Sequence, residues 1–348
     1  MNIILKRLAC VFVLTSLLFV AAFAGNTDRT GTAGAQELLI PTGASGIALG
    51  GSNIALASGV DAIFWNPAGL SRGTFNTEAF FSHMSYIADI GVDYGAVGVT
   101  FPSIGTFAAS FKSLAFGNIP VTTEDNPDGT GATFSPTYIV GGLTYSRVLS
   151  DRISVGATFN LVDESIMSTS ATGFALDAGV EYNGLIVPEL KLGVAIKNLG
   201  PNMTYTGSNL LRQGSTVGDI RGTQWYAVEA ASFELPSQMD VALAYDKKLG
   251  DMNDVTVYGD FENNNYSADV YKFGLQYGFE NMLFVRGGYN WAPSAPKDQT
   301  GQTSQIFDWT LGAGINYNLG DVNFTLDYAY EHVLLLTSIN VFTVRLGF

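Results

Sequence analysis

His83 and His332 are the two histidines of the chain, and each has serines close by in sequence: Ser82 and Ser85 beside the first, Ser338 near the second. A serine nucleophile with a histidine base is therefore the first chemistry to weigh. No acid stands at a recognisable spacing to orient either ring, so catalysis is not expected. A second constellation, Glu124, Asn126, Asp128 and Gly129, opens like a calcium loop. It begins with Glu and carries Ser135 where the bidentate acid belongs, which reads better as an acidic exposed loop than as a metal site. No cofactor and no metal are expected, and the protein is read as a non-enzyme.

The remaining charges are sparse and mixed. Only 14% of the 348 residues are charged and the net charge is −14, so the clustered basic residues that nucleic acid requires are absent. Asp177, Glu181, Asp260, Glu262, Asp308 and Asp327 alternate with Lys191, Lys197, Lys272, Arg286 and Arg345 at positions that share the polar faces of alternating segments. Neither sign forms a ring, so these groups are expected to pair across an enclosed lumen and hold whatever fills it.

At the N-terminus, residues 1–24 read as a cleaved signal peptide. Lys6 and Arg7 precede the apolar run Leu8 to Val20, and Ala22-Phe23-Ala24 offers a small-residue cleavage site. Cleavage removes the single cysteine, Cys10, and two positive charges, taking −14 to −16. From residue 75 to 348 the chain is a succession of about fourteen alternating segments, each near the ~9–11 residues of a tilted transmembrane strand. In the twelfth, Phe307, Trp309, Leu311, Ala313, Ile315 and Tyr317 oppose Asp308, Thr310, Gly312, Gly314, Asn316 and Asn318. A soluble sandwich shares this period of two, but not the sorting of its connections. Tight turns near Ser103, Asp151, Asn281 and Gly320 alternate with long loops at 117–136, 199–236 and 292–306, as in outer-membrane barrels with short periplasmic turns and long extracellular loops. A turn at Gly320-Asp321 pairs Tyr317 with Phe324 and Ile315 with Leu326; one at residues 280–282 pairs Phe279 with Leu283 and Gln276 with Arg286. The expected fold is an all-β, fourteen-stranded antiparallel transmembrane barrel, surrounded by outer-membrane lipid, whose terminal Phe348 resembles the signal read by the barrel-assembly machinery.

Residues 25–74 differ. They are rich in Gly and Ala, without strand alternation, and contain Gly43, Gly46, Gly50 and Gly51 followed by Asn66-Pro67-Ala68-Gly69. Close packing of small residues and a turn at Asn66-Pro67 suit a compact plug inside a barrel, and Ile63, Phe64, Trp65 and Leu70 argue against a disordered tether. Residues 36–72 resemble the start of the PorV/PorQ family, relatives of the FadL-type fatty-acid channels. Asn66-Pro67-Ala68-Gly69 is shared with the wider group and the Gly/Ala run is more particular to PorV/PorQ. Where that family commonly has an arginine after Gly-Ala, this chain has Ser45.

The resemblance implies an N-terminal hatch before a fourteen-stranded barrel and two possible functions. The first is a shuttle or scaffold role in type IX protein secretion, with secreted cargo domains and other secretion components as partners. Phe134, Tyr205, Trp225, Tyr226 and Phe233 on the long loops would then be the apolar anchors for cargo. The alternative is FadL-like passive uptake of hydrophobic small molecules. On either reading the mature protein is expected to fractionate with outer membranes and to show heat-modifiable gel mobility; recovery as a soluble periplasmic protein excludes the barrel.

Overall fold

The computed structural model describes residues 27–214, 223–297, 301, 303–334 and 336–348. The expected signal peptide lies outside them. Fourteen long strands follow one another: β1 (Thr77–Ser85), β2 (Gly91–Phe101), β3 (Gly105–Ala115), β4 (Thr137–Val148), β5 (Ile153–Ile166), β6 (Thr169–Asn183), β7 (Leu190–Leu199), β8 (Gln238–Lys248), β9 (Asn253–Asn264), β10 (Val270–Phe279), β11 (Leu283–Trp291), β12 (Phe307–Leu319), β13 (Val322–Val333) and β14 (Ile339–Gly347). Each pairs antiparallel with its neighbours in sequence, and β1 pairs with β14 from Glu78↔Gly347 to Ser85↔Asn340. The sheet is thereby closed and has no free edge, the condition for strands to cross lipid. Phe348 extends the closing seam by donating its N–H to Thr77 at 2.8 Å and accepting from Thr77 N–H at 3.2 Å.

Both register expectations hold. Tyr317↔Phe324, Ile315↔Leu326 and Leu319↔Val322 pair across the Gly320 turn, and Phe279↔Leu283, Leu275↔Gly287 and Gln276↔Arg286 pair across the 280–282 turn. Gly320 takes φ 66°, the sign required at the first position of a primed hairpin turn. The alternation sorts side chains as the period of two demands: Leu143, Val285, Leu311 and Phe342 point outward and stay exposed, while Thr158, Asp177, Glu181 and Thr310 point inward and are buried. A continuous exposed apolar surface of this kind fits a lipid environment.

Two strands run longer than their alternation indicates. The sequence reading places the fifth and sixth at 153–163 and 171–182, but β5 and β6 continue past Asp163 and before Ala171 to a tight turn. Glu164 is tolerated there because it faces inward, buried, and accepts from Tyr205, and Thr206–Gly207 adds a short pairing to this end of β6. The long loops also fold back on themselves: Ile119–Pro120 pairs with Thr133–Phe134, and Leu211–Gly214 with Gln224–Ala227.

Residues 27–72 fill the interior as short helical turns: Gln36–Leu38, Ala44–Ile47, Asn53–Ala55, Gly59–Asp61, Ala62–Trp65 and Pro67–Arg72. Their Ile47, Leu49, Ile54 and Trp65 make one apolar cluster with Met84, Val92, Leu114, Tyr258 and Val341 of the wall. The core of this protein is thus inside the barrel, between hatch and wall. Leu326, exposed on the outer face and paired with Ile315 and Val344, tests the orientation of the strands. Leu326→Arg is expected to cost about 2–4 kcal/mol if it lies near mid-membrane, read from denaturant unfolding in lipid vesicles; no change means that the face has been misassigned.

Candidate functional site

Beside its apolar side-chain contacts the hatch also approaches the wall through backbone, and there the wall carries glycines. A Cβ on Gly156 would stand 2.3 Å from the Pro67 carbonyl oxygen, one on Gly193 2.4 Å from that of Ile54, and one on Gly288 2.2 Å from the Gly50 nitrogen. These glycines occupy lumen-facing strand positions, where glycine marks the close approach of another backbone. Wall side chains supply the hydrogen bonds that such irregular chain needs. Thr343 accepts from Ala44 N–H (2.9 Å), Thr310 donates to the Ala48 carbonyl (2.9 Å), Ser146 to that of Ala68 (2.9 Å), and Glu78 accepts from Val60 N–H (2.8 Å). Lys112, which the sequence reading passed over, donates to the carbonyls of Glu37 (2.9 Å) and Ile40 (2.8 Å).

The sequence-selected hatch residues all fall in this packing. Asn66 is fully buried; its amide donates to the carbonyls of Ile54 (2.9 Å) and Val180 (3.2 Å), and its oxygen caps the Pro67–Arg72 turn by accepting from Ala68 N–H (3.2 Å). Pro67 starts that turn, Ala68 is fully buried, and a Cβ on Gly69 would meet the Ala57 carbonyl at 1.9 Å. Gly43, Gly50 and Gly51 take φ of 87°, 66° and 77°, and Gly46 lies against the Trp65 indole. Ser45 donates a short hydrogen bond to the Asp61 carboxylate. Burial pushes the Asp61 carboxyl above its ordinary pKa, and that hydrogen bond works against the shift.

The hatch divides the lumen into two chambers. Toward the long-loop end lies a cavity of about 400 Å³, lined by Phe64, Trp65, Tyr266, Val270, Ile306 and Phe307, with Lys197, Lys272, Glu262 and Glu331 among its polar groups. Toward the tight-turn end lies one of about 320 Å³, where Asp61, Asp246, Lys248, Arg286, Asp327 and Arg345 predominate. The first is mainly apolar and the second mainly polar. On the rim of the first, β11 and β12 stop pairing beyond Tyr289↔Trp309. The Gln305 side chain takes over, accepting from Ala292 N–H and donating to the Asn290 and Phe307 carbonyls, each at 2.7 Å.

The lumen charges do pair, but along the wall. Lys197 meets Asp240 on the next strand at 3.1 Å, Lys272 is bonded to Glu262 on its neighbour, and Arg286 meets Asp327 two strands away at 2.5 Å. The expectation of pairing across the lumen is thus corrected: the hatch occupies the middle, and lumen-facing residues of nearby strands are closer to each other than to the opposite wall. The histidine reading is corrected too. Asp93 lies 2.7 Å from His83 Nδ1 and Asp308 2.8 Å from His332 Nδ1, each a partner that sequence spacing did not reveal. Ser82 points into the lumen and accepts from Thr343, and Ser338 accepts from Tyr330. Among the described residues, no serine hydroxyl bonds to either imidazole.

The five loop aromatics are not equivalent. The rings of Tyr205 and Phe233 meet in a tilted contact, centroids 5.6 Å apart, and pack with Leu38, Met203 and Leu235; Phe233 covers Gly34, and Tyr205 donates to Glu164. They fasten the loop to the hatch. Phe134 is half-buried in its short hairpin, whereas Trp225 and Tyr226 are exposed on theirs. Glu124, Asn126 and Asp128 are exposed in a turn closed by Thr123 and Asn126.

No protein-family profile and no curated protein matches the chain. Solved structures do. The Pseudomonas putida toluene transporter TodX aligns with TM-score 0.55 and 14% identity over 86% of this chain and 96% of its own. The Ralstonia pickettii toluene transporter TbuX gives 0.54 and 13% over 94% and 100%. A Pseudomonas aeruginosa FadL homologue gives 0.53 and 12% over 88% and 98%. At these identities the likeness establishes the fold, that of the FadL-like barrels. Gly193→Val should wedge the hatch off its seat while leaving the wall ladder intact, with strain of about 1–3 kcal/mol. The expected result is a barrel that stays heat-modifiable and conducts more strongly in planar bilayers; unchanged conductance shows that this seat does not close the lumen.

Proposed function

We propose that the protein is an outer-membrane uptake channel for hydrophobic small molecules, with the loop-end chamber as its first binding station. The observation that carries this reading is the chamber itself: a mainly apolar cavity of about 400 Å³ under the loops of a plugged barrel, within the range of small-molecule sites. Phe64 and Trp65 of the hatch line it, so a bound molecule touches the element that must move for passage. The FadL-like fold is shared with toluene transporters, which supports the same reading.

A second reading, the shuttle or scaffold role in type IX secretion, rests on the PorV/PorQ resemblance of residues 36–72 and on exposed Trp225 and Tyr226. It ranks below uptake because Tyr205 and Phe233, two of the five aromatics assigned to cargo, are engaged with the hatch. One experiment separates the two. Ala292→Trp adds bulk to a buried residue of the chamber lining; it should slow uptake of a labelled hydrophobe into proteoliposomes several-fold. Excision of residues 211–227, which spares the clamp on the hatch, should leave uptake unchanged. Loss of secreted-cargo co-purification on excision, with uptake absent from the wild type, reverses the ranking.

A further inference from the structure

We infer that the loop-end chamber admits uncharged hydrophobic molecules and rejects carboxylates, with Glu331 as the specificity-determining residue and Glu262 as the group that masks Lys272. The inference rests on the uptake reading and names the class of molecule taken. Two lysines line the chamber, and both already have carboxylate partners. Lys197 Nζ is 3.1 Å from Asp240, and Lys272 is bonded to Glu262 with Asp240 at 3.8 Å and Asp260 at 3.9 Å. Four carboxyl groups, Asp240, Asp260, Glu262 and Glu331, therefore stand against Lys197 and Lys272 in and beside one wall. Among the described residues Glu331 makes no ion pair, although its side chain lines the cavity and is nearly buried.

Geometry makes Lys272 costly to recruit. Its ammonium and the Trp65 ring converge on Gly51, where a Cβ would lie 3.5 Å from one and 3.0 Å from the other, and Glu262 holds it in place. Asn264 donates to Glu262 at 2.9 Å and fixes that carboxylate in turn. An entering carboxylate would lose its hydration without finding a free cation, and would face Glu331 in surroundings that screen charge poorly. An uncharged molecule of the same shape meets neither penalty and still gains from burial against Phe64, Ile306 and Phe307.

The test compares dodecanol with laurate, molecules of equal chain length that differ in the head group, by calorimetric titration of the full-length protein in lipid nanodiscs at about pH 9, where a buried carboxyl is ionised as well as an exposed one. Laurate is expected to bind about tenfold more weakly or worse, a difference of ~1.4 kcal/mol. The ratio should move toward laurate in Glu331→Gln, and further in Glu331→Gln with Glu262→Gln, which takes from Lys272 its nearest carboxylate and leaves Asp240 and Asp260 at 3.8 and 3.9 Å; heat-modifiable mobility confirms that each variant is folded. Laurate binding as tightly as dodecanol to the wild type overturns the selectivity and leaves hydrophobe uptake standing. Binding of neither molecule overturns the uptake reading, and the selectivity with it.

Discussion

The structure depends on how an irregular chain is accommodated inside a closed sheet. Closure commits the backbone of the wall to its own ladder, from the β1–β14 seam around to β6–β7. The buried hatch must find other partners for its polar groups, because an unmade hydrogen bond there costs about 1–3 kcal/mol. It finds them in Thr343, Thr310, Ser146, Glu78 and Lys112 of the wall, and in Asn66, whose amide ties the hatch both to itself and to the Val180 carbonyl of β6. Those bonds require close approach, which is why lumen-facing positions such as Gly156, Gly193 and Gly288 carry no side chain.

That seating sets the character of the two chambers. With the hatch across the middle, Phe64 and Trp65 face the loop end, and Asp61 lies in the polar chamber at the turn end. The charged wall residues are kept from one another by the same obstruction, so they pair along the sheet. The loop-end chamber is consequently apolar over most of its lining, with both of its lysines paired to carboxylates. Tyr205 and Phe233 close the system by fastening the longest loop to the N-terminal part of the hatch, where Arg29 also pairs with Glu234.

Strand number, the register at two hairpins and the inward or outward sense of most strand side chains followed from the sequence alone; Phe307 is the exception, grouped by alternation with the outward Trp309 and Leu311 but turned into the loop-end chamber where the register shifts between residues 307 and 310. A period of two has only two faces, and turns such as Gly320-Asp321 leave one pairing that keeps Tyr317, Ile315, Phe324 and Leu326 together. The presence of a compact hatch was legible as well, in the Gly/Ala run and in Asn66-Pro67-Ala68-Gly69. A further signal lay unread: glycines at lumen-facing positions of successive strands, which mark where the hatch backbone would come to rest. Only the tertiary structure decided which charges pair, that Asp93 and Asp308 sit beside the two histidines, that Tyr205 and Phe233 serve the hatch, and that the remaining lumen is apolar at one end and polar at the other. Those outcomes join residues far apart in the chain, such as Ala44 with Thr343 and Ala48 with Thr310. Alternation specifies the face a residue occupies; its depth along the barrel and the hatch surface opposite it are set by closure, which no local pattern encodes.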